Sequence, residues 1–212
     1  MPKCKNCNTK FVAKRFLQKF CMETDECQEA AIKFTLDHNK QLKEKKEADE
    51  WKVKKKEMVE KLKTLSDYKS DLEKEVNAIV RLIDKGHECI SGGFDNYVMH
   101  AGHLYSVGAF PSIRFNLLNI YGQSEHDNLH LHGNGAIYKE RMVEVFGKAV
   151  AEEVENLKVK YPELKASISE IKEATEIAKR IKKSLIKMDT YYEIEERINM
   201  RRVYNKMIGL YK

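Results

Sequence analysis

No run of about 18 consecutive apolar residues occurs in the 212-residue chain, which argues against a membrane-spanning helix. The N-terminus starts basic but lacks the apolar core of a secretory signal, so a cytoplasmic protein is expected. Hydrophobic residues make up only 42% and charged residues 34%, a thin supply for one large core, so small modules joined by exposed helices are expected. No internal repeat is present. The formal charge of +6 is by itself a weak argument for a polyanionic partner; where the charge sits matters more.

Glycine and proline are missing from Asp25 to Lys85, and good helix formers fill the stretch, which predicts one long helix or two broken near Ser66. Between Lys40 and Lys63 ten lysines stand against six acidic residues, and apolar residues thin to Leu42, Ala48, Trp51, Val53, Met58, Val59 and Leu62. Such a segment buries little. A solvated helix laced by i,i+4 charge pairs is favoured there over a DNA-contacting arm. After Ser66, Leu72, Val76, Ile79, Val80 and Ile83 share one helical face, and Gly86 stands where a C-terminal cap belongs. Tyr138 to Tyr161 is amphipathic apart from Gly147, and Pro162 interrupts it. Ser167 and Glu170 form a capping box for a helix carrying Ile168, Ile171, Ile177, Ile181 and Leu185. The stretch from Tyr191 to Lys212 has the same habit and ends basic, with Arg197, Arg201, Arg202, Lys206 and Lys212. A helical hairpin buttressing the middle of the chain is preferred to a second DNA-binding surface.

Five cysteines in a reducing compartment make a poor disulfide framework, and four of them crowd into the first 27 residues. Cys4-x2-Cys7 and Cys21-x5-Cys27 are two close pairs separated by thirteen residues, a spacing that lets two chain reversals bring four thiolates onto a tetrahedral Zn²⁺. Lys3, Lys5, Lys10, Lys14 and Arg15 supply a positive field that favours thiolates. Four protein ligands leave no open position, so the zinc is structural, and it should supply the folding free energy of a module too short for a core.

From Gly86 to Gly135 the chain changes character, holding eight of the ten glycines and six of the seven histidines, with short β-like runs at Asn96 to Met99 and His103 to Val107. His100-Ala101-Gly102-His103, then Asn119, then Asn128 to Asn134 with His130 and His132, supply in order what a metal-dependent phosphodiesterase needs. One imidazole serves as general base on water, further side chains hold a hard divalent cation, and an amide orients the base.

These residues carry a family resemblance. Cys-Ile-Ser-Gly-Gly at 89–93, His-Ala-Gly-His at 100–103, Pro-Ser-Ile-Arg-Phe-Asn at 111–116, Asn119-Ile120 and His-Leu-His-Gly-Asn at 130–134 resemble the NinG (Rap) family of lambdoid phage recombination proteins. The cysteine-rich start, the Lys/Glu-rich helix, Leu-Lys-Thr-Leu-Ser-Asp-Tyr at 62–68 and Met-Val-Glu-Val-Phe-Gly at 142–147 extend the resemblance over roughly the first three quarters of the chain. It implies action on branched DNA such as Holliday junctions and D-loops, through an HNH (ββα-metal) endonuclease centre. By the same resemblance, His103 is the general base, Asn119 orients it, Arg114 neutralises the scissile phosphate, and His100, Asn128 and His132 are the ligands of Mg²⁺ or Mn²⁺. Family members often carry a second set of four cysteines; here those positions are Cys89, Gly92, Ser124 and Asp127, so zinc stapling is not expected. Packing of Phe94, Tyr97, Phe110, Phe115 and Ile120 is expected to hold the unit instead, with Cys89 as a small buried hydrophobe.

The expected fold is therefore mostly α with a small α+β unit. Its parts are a zinc module at 1–28, a charged basic helix at 29–65, an HNH-like unit with flanking helices at 66–155 and a helical region at 156–212. Two other readings stand beside the endonuclease: a non-catalytic accessory protein that grips branched DNA, and a zinc-dependent interaction module that binds no nucleic acid. Symmetric cutting of a junction would favour a homodimer, though the long helix has too interrupted an apolar stripe to specify one.

Overall fold

The computed structural model describes residues 1–92 and 98–211, and the chain divides into two compact units, Met1–Leu62 and Lys63–Lys212. The fold is mostly helical with one two-stranded antiparallel sheet. Among the described residues no helix is long and apolar enough to cross a membrane.

In the first unit a small core of Cys4, Phe11, Phe20, Cys21 and Cys27 sits against Ala30, Ala31 and Phe34 of α1 (Asp25–Leu62). Past that point α1 runs without burial: Cys27 is its one buried residue among those described. Lys40–Glu44, Lys43–Glu47 and Lys46–Glu50 pair at i,i+4 with N–O separations of 3.9 to 4.0 Å, all exposed to solvent. Pairs of this kind contribute about 0.3–0.5 kcal/mol each, so the helix is held by propensity and local charge pairing.

The break between helices falls at Thr64, two residues ahead of the position expected. Thr64 caps α2 (Leu65–Ile83), accepting from the Asp67 N–H while the Asp67 carboxylate accepts from the Thr64 N–H. Leu72, Val76, Ile79, Val80 and Ile83 are all buried, as their spacing requires, against Ile171, Ala174, Ala178, Ile181 and Leu185 of α5 (Ile168–Met188). Ser167 and Glu170 do form the capping box of α5, but Ile168 is 41% exposed and Ile177 only half-buried. The amphipathic stretch from Tyr138 to Tyr161 falls on two helices, α3 (Gly135–Phe146) and α4 (Lys148–Lys160). They part at Gly147, whose φ of 84° is a conformation that a side chain would strain.

The sheet is β1 (Met99–His103) paired with β2 (Ile120–Ser124). The run His103 to Val107 is not a strand beyond its first residue, because Asn119 captures the backbone that follows: its Oδ1 accepts from Tyr105 N–H at 2.9 Å and its Nδ2 donates to Tyr105 O at 3.0 Å. β2 lay hidden in the sequence because it is buried on both faces and shows no alternation. Of the run Asn96 to Met99, only residues 98 and 99 lie among the described ones, and Phe94 and Tyr97 of the expected packing set lie outside them.

The hairpin is sandwiched. Ile120 joins the α2/α5 core, while Tyr121 on the opposite face packs with Tyr138, Met142 and Phe146 of α3. The last helix, α6 (Ile194–Ile208), locks this sandwich from inside, since Arg197 and Arg201 are 4% and 0% exposed and do not belong to a basic surface. Asp84, at the C-terminal end of α2, accepts from Arg201 Nη2 at 2.6 and 2.8 Å, Arg197 Nε at 3.0 Å and Gly122 N–H at 2.6 Å. Burial alone would raise the Asp84 pKa, but the two guanidiniums outweigh it and hold the carboxyl below the usual range.

Candidate functional site: the cysteine cluster and the histidine hairpin

Two chain reversals build the cysteine cluster. Cys4 N–H bonds Thr9 O and Asn8 N–H bonds Cys4 O, with Asn8 in the left-handed region, which places Cys4 and Cys7 on one knuckle. Thr24 then caps the start of α1 and presents Cys27 from its first turn. All four sulfurs lie within 4.8 Å of one another, with Cys4–Cys27 and Cys7–Cys21 at 3.8 Å. A tetrahedron of Zn–S bonds near 2.3 Å has edges of about 3.8 Å, so this donor set fits Zn²⁺ closely. Burial opposes ionisation of Cys4, yet N–H groups of Cys7, Cys21 and Asn6 draw its pKa down to about 6. A backbone N–H from Glu23 acts the same way on Cys21, but burial and the other three sulfurs outweigh it and push that thiol up to about 12. Four thiols this close cannot all ionise without a cation among them.

In the second unit the strand register decides which histidines meet. His103↔Ile120 and Ala101↔Gly122 lie on one face of the hairpin, His100↔Gln123 and Gly102↔Tyr121 on the other. The face bearing His103 lies against α2, where a Cβ on Gly122 would sit 3.0 Å from Asp84 Cβ; the face bearing His100 lies toward α3, whose Tyr138 hydroxyl donates to Gly102 O. The structure thus does not bring His100 and His103 together. His103 lies toward Glu73 of α2 and donates from Nε2 to Arg114 O at 2.9 Å. A carbonyl only accepts, so the neutral ring carries its proton on Nε2 and leaves Nδ1 as the free base. Burial is the largest influence on this imidazole and lowers its pKa, against the Arg114 carbonyl and the charge of Glu73.

Arg114 stands beside His103 through its backbone, while its guanidinium is paired with Glu73. Asn119 is fully buried, and its side chain bonds the Tyr105 backbone while its carbonyl accepts from Leu104 N–H. Beyond β2 a π-helical turn, His126–His130, carries Asn128 half-buried, and His132 follows it exposed with φ at 50°. His126 and His130 stand with ring centroids 5.7 Å apart, a pairing that the sequence pattern does not single out beside His132. Among the described residues, the cysteine cluster is the one group of three or more His, Cys, Asp or Glu side chains with converging ligand atoms. A divalent cation at the hairpin would therefore draw part of its coordination from water or substrate phosphate, as Mg²⁺ commonly does.

The positions of the absent second cysteine set still converge. Cys89 is buried but not merely apolar: Ser124 N–H donates to its sulfur at 3.1 Å, and the thiol lies 3.5 Å from Asp127 Oδ2. Ser91 donates to the same carboxylate oxygen at 2.7 Å and accepts from Gln123 Nε2 at 2.8 Å. Hydrogen bonds thus tie β2 to the 89–91 turn and to the helical turn. Replacing Asp127 with Ala removes the carboxylate that accepts from the Ser91 hydroxyl and faces Cys89, so a loss of about 1–3 kcal/mol in urea denaturation is expected. A midpoint unchanged from wild type would show that packing alone holds the turn.

Fold and site define a class: a helical protein that joins a metal-competent cysteine knuckle to a strand–strand–helix unit bearing histidines. The family described as Bacteriophage Lambda NinG protein matches residues 1–189, and the chain belongs to that family. Relatives include protein ninG of Salmonella phage P22 at 33% identity, of Escherichia phage lambda at 32% and of Enterobacteria phage H19B at 31%, each over 96 residues. Those alignments cover 45% of this chain, and the chain spans about half the length of the relatives, 47% to 48%. No solved structure matches the chain.

Proposed function

We propose that the protein is a phage DNA-recombination nuclease of the HNH type, cutting branched DNA with His103 as general base. The observation that carries this reading is the placement of His103 at the end of β1, opposite the start of β2, with Nε2 fixed on a carbonyl and the next backbone segment locked by Asn119. Family membership supports a role in phage recombination. A Mg²⁺ or Mn²⁺ ion would be held on the side of the hairpin bearing His100 and the 126–132 turn, and when bound would stabilise charge developing on the phosphate. His103 holds the proton of the attacking water at Nδ1. Arg114 reaches the phosphate only on leaving Glu73.

Those two features, His100 and His103 on opposite faces and Arg114 already paired, favour a second reading: an accessory protein that binds branched DNA without cutting it. A pH profile of cleavage of labelled four-way-junction, flap and duplex DNA in Mg²⁺ or Mn²⁺ separates them. Because the His103 pKa is lowered in the fold, the neutral base is present at lower pH than for a free histidine. The rate should rise with pH and level off at a lower pH than a free histidine would require. Binding with no cleavage in either metal favours the accessory reading, while cleavage whose rate does not rise with pH counts against His103 as the base.

A further inference from the structure

We infer that Asn205 and Tyr211, on the segment that follows the family match, are positioning residues that set the tautomer of His103. The inference rests on the reading of His103 as the base, and the chain of contacts is explicit. The Tyr211 hydroxyl accepts from Phe115 N–H at 3.1 Å and donates to Ser112 O at 3.0 Å, gripping the loop on either side of Arg114. Asn205 Oδ1 accepts from Leu117 N–H at 2.9 Å, and its Nδ2 donates to Asn116 Oδ1 at 2.8 Å. Four bonds from α6 and its tail thus fix residues 112–117, all on the two flanks of the one carbonyl that receives the His103 Nε2 proton. Remove that grip and the Arg114 carbonyl is no longer held against the ring, so the energetic preference for the Nε2–H form falls. The groups facing His103 are Glu73 of α2 and Arg114 of the loop, which pair with each other, and the bonds from Tyr211 and Asn205 go to other residues of the loop.

The tyrosine ring packs on Tyr161 at 5.0 Å between centroids, so Tyr211→Phe removes the hydroxyl and keeps the packing. Nitrogen-15 correlation spectra of the histidine side chains in the zinc-loaded chain read the tautomer directly. Wild type is expected to show His103 in the Nε2–H form alone. Tyr211→Phe, and independently Asn205→Ala, should each bring in the Nδ1–H form, while the control Tyr191→Phe, whose hydroxyl meets His87, should not. Cleavage by Tyr211→Phe should fall about tenfold at unchanged DNA affinity, part of the roughly 10²–10⁴ a general base contributes. His103 remaining wholly Nε2–H in both variants overturns the inference. Wild-type protein that cuts no DNA would overturn the nuclease reading alone, since the tautomer result stands without cleavage.

Discussion

Removing zinc with a strong chelator should unfold residues 1–24 and leave residues 63–212 folded. The cysteine module has a core of five residues, two of them phenylalanines and three of them cysteines, which is far too little apolar burial to offset the entropy of ordering its loops. Three of its residues outside glycine, Asn8, Leu17 and Met22, sit at positive φ, so its turns also carry backbone cost. Structural zinc in small modules supplies about 10–16 kcal/mol of apparent binding free energy at neutral pH, and without it the expected state is disordered. The second unit has its own core and a single cysteine, Cys89, so its amide resonances should not move. Changing Cys27 to Ser should reproduce the effect by removing a ligand from the first turn of α1. Dispersed, unchanged resonances for residues 1–24 after chelation, with zinc absent by elemental analysis, would show that the module folds on its thiols alone.

The second large effect is expected at Arg201. Arg201→Met should destabilise the second unit by about 3–5 kcal/mol, because it strands Asp84, which is 1% exposed, with one guanidinium where it had two. Replacing Asp84 as well, by Asn with Arg201→Met, should recover much of that loss. Wild type and variant should also differ in their response to acid. In wild type the Asp84 pKa is lowered by folding, so its contribution is complete above the unfolded value near 3.9 and is lost as pH falls through the lower folded value. In Arg201→Met the pKa rises, and burial then penalises the ionised form, so mild acid should narrow the gap between the two proteins. Parallel unfolding curves at pH 4 and pH 7 measure it; an equal gap at both would rule out Asp84 as the origin.

Local pattern made part of this architecture readable in advance. The buried face of α2 follows from 3.6-residue spacing, the cap at Ser167 from a side chain one turn ahead of an acid, and the cysteine cluster from two short spacings. What pattern could not reach were pairings between distant residues. Asp84 meets Arg197 and Arg201 across 113 and 117 positions, and in the sequence those arginines look like part of a basic tail. One sign was present: an acid at a helix C-terminus opposes the helix dipole and calls for a cationic partner. β2 was hidden by double burial, and with it the register that sends His100 and His103 to opposite faces. Asn119 was picked out for its residue type, but the sequence does not reveal that it acts on backbone at Tyr105 and not on the imidazole.

Whether His103 is a catalytic base on DNA is tested most directly by a single comparison: metal-dependent cleavage of a labelled four-way junction by wild-type protein and by His103→Ala, with binding measured on the same samples. Cutting is predicted in Mg²⁺ or Mn²⁺; it should be lost on adding EDTA and fall by about 10²–10⁴ in the variant, at unchanged junction affinity. Equal cleavage by both proteins, or tight binding by both with no cleavage in any metal, would contradict the assignment of His103 as the base.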